Sequence, residues 1–250
     1  MGPNRIVVLF TGAFILWAAL QKAVQAQDAL TFGTTVGAPM VTPEGTGFID
    51  LVAKEALGRI GKKLIVIPLP AERSLINANN GIEDGDLQRV GGLSKKYPNL
   101  IQVDEPFRTA EFSVFTKQVR FTPKGWKSLE PYNVGFLNGW KILEANVKNV
   151  KSITKVANAA QLFTLLENGR ADVVIFSKWQ GLYAIRELEF KEIRLLEPPL
   201  AKKSMFMYLN KKNKGLAPKI AAALREIKAD GTYQALYDKI LGVLVASSTN

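Results

Sequence analysis

Two arginine residues are the groups in this sequence best suited to holding an anion. Arg73 lies at the start of the helix predicted after the second strand, and Arg89 lies on the third predicted strand. Because adjacent parallel strands bring such positions to the same edge of a sheet, two guanidinium groups could bind one carboxylate there with paired hydrogen bonds. The alternative is that each arginine pairs with a neighbouring acid, such as Glu72 or Asp86.

Two further candidate positions follow predicted strands in the second half of the sequence. Gly139 and Trp140 lie between a strand and a helix, where free backbone N–H groups can hold an anion and the indole could form a flat wall. Ser177 and Trp179 lie at the corresponding edge after the last predicted strand, where a hydroxyl could bind a ligand and a ring could stack on it. The alternatives are a plain turn, a Trp140 packed between two lobes, and a Trp179 packed against Tyr183.

One acid and two absences complete the chemical inventory. Glu105 precedes Pro106 and could orient an arginine or hold a ligand amine, although a solvated loop acid is the alternative. The sequence contains no His and no Cys. Ser-His-Asp and Cys-His catalysis, metal sites built on His or Cys, and disulfides are therefore excluded. We expect no metal and no cofactor.

The amino-terminal segment, residues 1–26, is typical of a secretory signal peptide. Arg5 precedes an apolar run over residues 6–20, and small residues lead to a cleavage site after Ala26. A membrane anchor is the alternative, but a spanning helix needs roughly 20 apolar residues, and this run has 15. We therefore expect a mature chain that begins at Gln27 and works in the periplasm.

The mature chain is strongly basic. Residues 27–250 carry 31 Lys and Arg against 22 Asp and Glu, a net charge of +9. Such a charge is compatible with nucleic acid, an anionic surface or an acidic ligand, or with a solvated surface of no special role. Export argues against nucleic acid, and the cations are scattered along the chain.

The order of predicted elements is that of an α/β fold. Residues 30–90 read as β-α-β-α-β, which predicts a parallel sheet covered by helices. Within this block, residues 63–67 are so apolar that they predict a buried strand. A second block of the same kind covers residues 132–176. The chain then ends with helices predicted over residues 218–230 and 233–241.

Two extended apolar segments lie outside these blocks. Residues 111–117 separate the blocks, and residues 204–209 follow the second one. Their placement predicts two strands that cross between two lobes, one outward and one back. The predicted division is a first lobe of residues 27–116 and 206–250 and a second lobe of residues 117–205.

Several segments, in a fixed order, resemble a known family. They are Asn80-Gly81 followed by Asp84-Gly85-Asp86, the string NVGFLNG over residues 133–139, ENGRADVVI over residues 167–175 and ADGTYQALYDK over residues 229–239. Together they make residues 30–245 similar to family 3 extracellular solute-binding proteins, the periplasmic receptors of polar amino-acid ABC importers. The resemblance implies the two-lobed periplasmic binding protein fold of type II. It also implies a monomer that closes on a small ligand between the lobes and delivers it to a membrane permease.

The sequence departs from this family at its ligand site. In amino-acid binders of the family, an Asp that pairs with the substrate ammonium usually lies five residues after the position of Asp172, where this chain has Ser177. The loop after the first strand usually offers an aromatic wall, and here residues 37–40 offer Met40. The family's carboxylate-binding Arg has no match in residues 91–96. We therefore expect a carboxylate-bearing solute other than an ordinary α-amino acid.

Three functions fit these observations. The first is a binding protein that closes on the solute by a hinge motion and passes it to the permease. The second is a periplasmic enzyme on the same scaffold, similar to cyclohexadienyl dehydratase, in which a cleft carboxylate would catalyse elimination. Glu105 is the one acid that the sequence places near the cleft, and this scarcity favours a binding protein over an enzyme. The third is a protein that presents its closed form to a membrane sensor.

Overall fold

The computed structural model describes residues 29–246. The predicted signal peptide, its cleavage after Ala26 and the predicted first mature residue Gln27 lie outside the described residues. Within those residues, none of the helices combines the length and the apolar character that crossing a membrane would require.

Nine strands form one continuous mixed sheet. They are β1 Ala29–Thr34, β2 Lys63–Pro68, β3 Gly85–Val90, β4 Leu100–Gln102, β5 Arg108–Thr116, β6 Asn133–Leu137, β7 Ser152–Val156, β8 Val173–Ser177 and β9 Arg194–Asn210. Their order across the sheet is β2-β1-β3-β9-β5-β8-β6-β7, with β4 also paired to β9.

Helices cover this sheet. The α-helices are α1 Phe48–Gly58, α2 Ala71–Asn80, α3 Lys141–Asn146, α4 Ala159–Glu167, α5 Lys178–Glu187, α6 Ala217–Ala229, α7 Thr232–Tyr237 and α8 Val243–Ala246. Short 3₁₀ helices occupy Leu93–Lys95, Trp126–Leu129 and Lys211–Leu216, and a π-helical turn covers Asp238–Gly242.

Both predicted blocks are confirmed as parallel units. In the first block, β1 pairs in parallel with β2 and β3, and helices α1 and α2 connect them. In the second block, β6 pairs in parallel with β7 and β8. Periodic apolar residues explain the helices: Val52, Ala56 and Leu57 of α1 are fully buried, as the sequence spacing predicts.

The prediction that β2 is a buried strand is wrong. This strand forms the outer edge of the sheet, next to β1 only, and its side chains are exposed or half-buried. Ile65 retains 44% of its surface. An edge strand has a neighbour on one side only, so an apolar sequence does not by itself place a strand inside a sheet.

Two strands cross between the lobes, as the sequence predicts. Strand β5 runs outward and pairs antiparallel with both β8 and β9. Strand β9 has 17 residues and pairs with β5 before it continues to β3 and β4. It begins at Arg194, ten residues before the predicted segment, because pairing with β5 holds an irregular stretch that contains Pro198 in the sheet. The predicted lobe boundaries, after residue 116 and before residue 206, stay predictions.

A buried carboxylate fixes the loop between β1 and α1. Asp50 is fully buried, and its Oδ2 accepts hydrogen bonds from the backbone N–H groups of Thr42 (2.9 Å) and Gly47 (3.0 Å). Burial raises the pKa of Asp50, and the two backbone hydrogen bonds partly oppose that rise. The same loop places the side chain of Met40 in the core, at 0% exposure.

Two substitutions of Asp50 should separate the contribution of its acceptor oxygen from the contribution of its charge. We expect Asp50→Ala to lower the free energy of unfolding by about 1–3 kcal/mol, because two buried N–H groups lose their acceptor. Asp50→Asn keeps an acceptor oxygen and should cost less. Urea denaturation at pH 7 measures both, and equal stability of all three proteins would contradict the assignment.

The pH dependence follows from the raised pKa. A carboxyl group whose pKa is higher in the folded state favours folding when it is protonated, so its contribution is present at low pH and is lost as the pH rises through the raised pKa. The difference in stability between Asp50→Asn and the parent protein should therefore shift in favour of Asp50→Asn as the pH rises above 3.8, the ordinary pKa of an aspartate. A pH-independent difference in urea midpoints would count against the raised pKa.

Candidate ligand-binding cleft

The strand directions define where a cleft lies. Strand β5 runs from the first lobe to the second and is antiparallel to β8, so the carboxyl ends of β8 and of its parallel neighbour β6 point back towards the first lobe. Strand β9 returns to the first lobe antiparallel to β3, so the carboxyl ends of β3 and β1 point towards the second lobe. The carboxyl ends of the parallel strands therefore face each other across the crossing strands, which is where ligands bind in open α/β sheets.

Arg89 does not offer a free guanidinium group to this cleft. Its Nε and Nη2 donate to Oδ2 of the fully buried Asp86 at 2.9 and 2.8 Å, and Nη2 also donates to the carbonyl oxygen of Ala71. Asp86 additionally accepts hydrogen bonds from the hydroxyl of Ser74 and the backbone N–H of Gln88. The alternative of a structural ion pair is therefore the one that the structure adopts.

Arg73 is placed differently from Arg89. It lies in the first turn of α2, after the carboxyl end of β2, and its side chain is exposed. No ion pair or side-chain hydrogen bond joins it to another residue in the described part of the chain. Because Arg89 is already paired with Asp86, the two arginines do not form the paired clamp that the sequence offered as one of two possibilities.

The turn before α3 already contains an anion from the chain itself. Gly139 adopts a positive φ of 79°, and its N–H donates to Oε1 of Glu144 at 3.3 Å. Lys141 and Lys155 pair with the same carboxylate and lower the pKa of Glu144 to about 2. The predicted anion site at this turn is therefore occupied by Glu144.

Trp140 packs against other aromatic rings. Its ring stacks on Phe176 with centroids 4.9 Å apart and planes at 20°, and it meets the edge of Phe112 at 5.9 Å. Trp140 is half-buried in this arrangement. The structure therefore gives it a packing role at the cleft end of the second lobe.

Ser177 and Trp179 lie at the carboxyl end of β8, as predicted. Ser177 is 5% exposed, and its hydroxyl is buried without a hydrogen-bond partner among residues 29–246. Trp179 is 8% exposed and meets the ring of Tyr237 edge to face at 5.4 Å, and Tyr183 packs against the same core cluster. Ser177 thus keeps an unused hydroxyl at the cleft edge, whereas Trp179 joins α5 to the carboxyl-terminal helices.

Met40 and Glu105 are also placed by structural contacts. Met40 belongs to the core of the first lobe, so its side chain forms no wall of the cleft. Glu105 accepts a hydrogen bond from Nζ of Lys228 on α6, and Arg225 of the same helix lies 3.8 Å from its second oxygen. Since Glu105 is neutralised within the first lobe, it neither orients an arginine across the cleft nor stays available for a ligand amine.

Arg108 is the residue that the sequence reasoning missed. It is the first residue of β5, at the junction of the first lobe and the crossing strands, and it is 7% exposed. Its Nε donates to Oε1 of Gln88 on β3 at 2.5 Å, and its Nη1 makes a long contact of 3.4 Å with the carbonyl oxygen of Thr109. In the described part of the chain, no carboxylate lies within 4 Å of its guanidinium group. Arg108 is therefore a buried cation without a counter-charge.

The electrostatic surroundings of Arg108 leave it charged at neutral pH. Burial lowers the pKa of Arg108 to about 10, while the nearby Tyr233 opposes this effect. Burial likewise raises the pKa of Tyr233 to about 12. The sequence did contain a signal for Arg108. The predicted strand began at Glu111, but the apolar residues Phe107 and Ala110 on either side of Arg108 indicate that the strand starts earlier and includes this arginine.

Ion pairs fasten the second lobe to the crossing strands. Lys178, the first residue of α5, binds Glu197 of β9 at 2.6 Å and lies 3.6 Å from Glu111 of β5. Glu111 also lies 3.5 Å from Lys202, its register partner on β9. Burial alone would lower the pKa of Lys178, but Glu197 and Glu111 outweigh burial and raise it. These acids are neutralised by lysines of the same chain.

No metal centre is evident in the part of the chain that the structure describes. Residues 29–246 contain no group of three or more acidic side chains placed to hold a metal ion.

Comparisons with known proteins show similarity to solved structures of amino-acid-binding proteins. No family model matches the chain. An uncharacterised protein of Shewanella oneidensis is 24% identical over 196 residues, which cover 74% of this chain and 72% of that protein. The structure of an ancestral arginine-binding protein bound to arginine is 23% identical with a TM-score of 0.68, covering 85% of this chain and 98% of its own. The structure of an ancestral amino-acid-binding protein, a precursor of cyclohexadienyl dehydratase, is 19% identical with a TM-score of 0.68, covering 89% and 99%.

The fold and these likenesses define the structural class. The chain has the two-lobed α/β fold of the type II periplasmic binding proteins, and the predicted fold class is confirmed. The resemblance to solute-binding proteins is supported at this coarse level.

Two arginine variants should show opposite effects on stability. We expect Arg89→Leu to lower the free energy of unfolding by about 3 kcal/mol, because it leaves Asp86 as a buried charge without its cation. Arg108→Met should leave stability unchanged or raise it, because it removes a buried charge that has no counter-ion. Chemical denaturation of both variants tests this contrast. A large loss of stability in Arg108→Met would mean that Arg108 is a structural residue.

Proposed function

We propose that this chain is a solute-binding protein whose lobes close on a small solute that carries a carboxylate. We further propose that it is exported by its signal peptide and delivers the solute to an ABC permease in the cytoplasmic membrane, and that it is not an enzyme. The proposed ligand class rests on one observation: the guanidinium group of Arg108 is buried without a counter-charge where the first lobe meets the crossing strands.

The cost of burying Arg108 supports an anionic ligand. A buried charge without a partner is strongly unfavourable, so proteins retain such groups mostly where a ligand or a reaction uses them. The guanidinium group can bind a carboxylate through two parallel hydrogen bonds, and Arg108 commits its Nε and, weakly, its Nη1 to protein acceptors. Gln88 fixes the orientation of the group, which lowers the entropy lost on binding.

The acids near the cleft argue against an α-amino acid as the ligand. The ammonium group of an amino acid requires a carboxylate partner. Members of the resembled family carry an acid for this purpose at the position where this chain has Ser177. The acids that the structure places around the crossing strands are already neutralised, Asp86 by Arg89 and Glu111 by Lys178 and Lys202. The unused hydroxyl of Ser177 suits a neutral or anionic group of the solute.

An enzyme on the same scaffold is the second candidate. Its support is the structural likeness to a precursor of cyclohexadienyl dehydratase. Against it, Glu105 is held by Lys228, so this acid is not available for proton transfer in elimination. Incubation with prephenate or arogenate, followed by chromatography of the products, decides between the two, and turnover would replace the binding proposal by the enzymatic one.

A thermal-shift screen tests the proposed ligand class. The protein without its predicted signal peptide would be heated with carboxylic acids, amino acids and polyamines, because a ligand that binds the folded state raises the melting temperature. We expect a shift with acids that lack an amine. In isothermal titration, Arg108→Met should weaken the affinity for such an acid by about 30-fold or more, since truncating a buried charge partner costs at least about 2 kcal/mol.

The controls separate charge from geometry. Arg108→Lys retains the charge without the planar fork and should bind more weakly than the parent but better than Arg108→Met. Arg120→Met, an exposed residue of the second lobe, should bind as the parent does. Shifts with amino acids or polyamines alone, or an unchanged affinity of Arg108→Met, would contradict the proposed carboxylate site.

A further inference from the structure

The positive charge of this protein is concentrated in its second lobe, taken with its predicted boundaries. Residues 117–205 contain 15 Lys and Arg against 8 Asp and Glu, a net charge of +7. The rest of the expected mature chain contains 16 and 14, a net charge of +2. The fold therefore separates a nearly neutral lobe from a strongly basic one, although the cations are scattered in the sequence.

Within the second lobe, the topology gathers the cations at the end opposite the cleft. Strand β5 leaves the crossing region and ends at Thr116, level with the first residues of β6 and β8. The loops at this end are residues 117–132, 148–151, 168–172 and 188–193, together with the start of β9. We call this end of the lobe the basic pole.

Eight cations of the basic pole have no counter-charge. They are exposed or half-buried, and none has an ion pair or a side-chain hydrogen bond within the described range 29–246: Arg120, Lys124, Lys127, Lys148, Lys151, Arg170, Lys191 and Arg194. Lys117 differs, because it pairs with Glu167 and Glu192. Asp172 is bound to Asn133, which leaves Glu130 and Glu189 as the remaining acids.

Aromatic side chains lie among these cations. Phe121 and Tyr132 stack with centroids 4.8 Å apart, and both rings are half-buried, as is Trp126. A polar cavity of about 600 Å³ lies at the same end, lined by Lys117, Gln118 and residues 191–194. Amphipathic rings beside lysine and arginine are the composition that favours the interface between a membrane and water.

We propose that the basic pole binds the anionic headgroups of a phospholipid membrane. Eight unpaired cations on separate loops create a broad positive field instead of a single anion pocket, which suits a surface of many phosphates. Since the pole lies at the end of the lobe opposite the cleft, adsorption leaves the cleft free to open. The claim that the headgroups belong to a membrane outside the cytoplasm rests on the proposed export. Lipid binding itself can be measured whether or not the protein is exported.

Sedimentation with lipid vesicles tests this proposal. The protein without its predicted signal peptide would be mixed with vesicles of phosphatidylglycerol and phosphatidylcholine, and with vesicles of phosphatidylcholine alone, at 50 mM and 500 mM salt. We expect binding to the anionic vesicles at low salt and its loss at high salt, where exposed charges are screened. Binding to neutral vesicles that equals binding to anionic ones would overturn the proposal.

A matched pair of variants locates the binding surface. The pole variant combines Lys124→Gln, Lys127→Gln, Lys148→Gln and Lys151→Gln. Its control combines Lys63→Gln, Lys95→Gln, Lys211→Gln and Lys214→Gln, four exposed lysines of the first lobe. Each basic residue near an anionic surface changes partitioning by about fivefold, so four substitutions should weaken the binding of the pole variant by about 600-fold, and the control should lose less than about threefold. Equal losses would show that only net charge matters and would overturn the assignment to the pole.

Two further measurements keep the outcomes distinct. Melting temperatures of both variants should equal that of the parent, which excludes unfolding as the cause of a loss. The ligand response of the pole variant in the thermal-shift screen should be unchanged, because the pole lies away from the cleft. Polyglutamate, glycerol phosphate and additional anionic vesicles would then be compared as competitors of vesicle binding. If polyglutamate displaced the protein at a lower concentration than the other two, the pole would be assigned to an acidic protein and the lipid proposal would be overturned.

Discussion

The pairing of β5 with β9 is the constraint from which the cleft follows. One strand leaves the first lobe and the other returns to it, and both are antiparallel to the parallel strands that they meet. The parallel strands of each lobe must therefore end facing the other lobe. Loops at those ends can differ in sequence without moving the cleft, which explains how a divergent set of candidate residues is carried on a fold shared with distant structures.

Two arginines on neighbouring elements show how the same side chain acquires different roles. Arg89 is held by the buried Asp86, so its charge is already compensated and its function is to join β3 to the start of α2. Arg108 is more deeply buried than Arg89 and meets only neutral acceptors, Gln88 and a backbone carbonyl. The difference comes from one carboxylate, because desolvation affects both guanidinium groups and only one of them has a partner of opposite charge.

Local patterns predicted the elements well, and long-range contacts account for the failures. The β-α-β blocks follow from apolar spacing within 15 residues or fewer. The first half of β9 could not be predicted, because Pro198, Lys202 and Lys203 disfavour a strand unless a neighbour such as β5 supplies its hydrogen bonds. At the candidate site, the sequence was compatible with two roles for Arg89, a contact with the ligand and an ion pair with a neighbouring acid. Choosing between them needs the distance to Asp86, which no local pattern contains.

The register of the crossing strands also bears on how such a protein could change over time. Glu111 on the way out and Lys202 on the way back are register partners, so the chain enters and leaves the second lobe about 5 Å apart. A gene segment that encodes the residues between them begins and ends at one place in space. Recombination could therefore exchange the whole basic lobe for another while the first lobe and the buried Arg108 stay as they are, so that surface charge and ligand choice would be inherited separately.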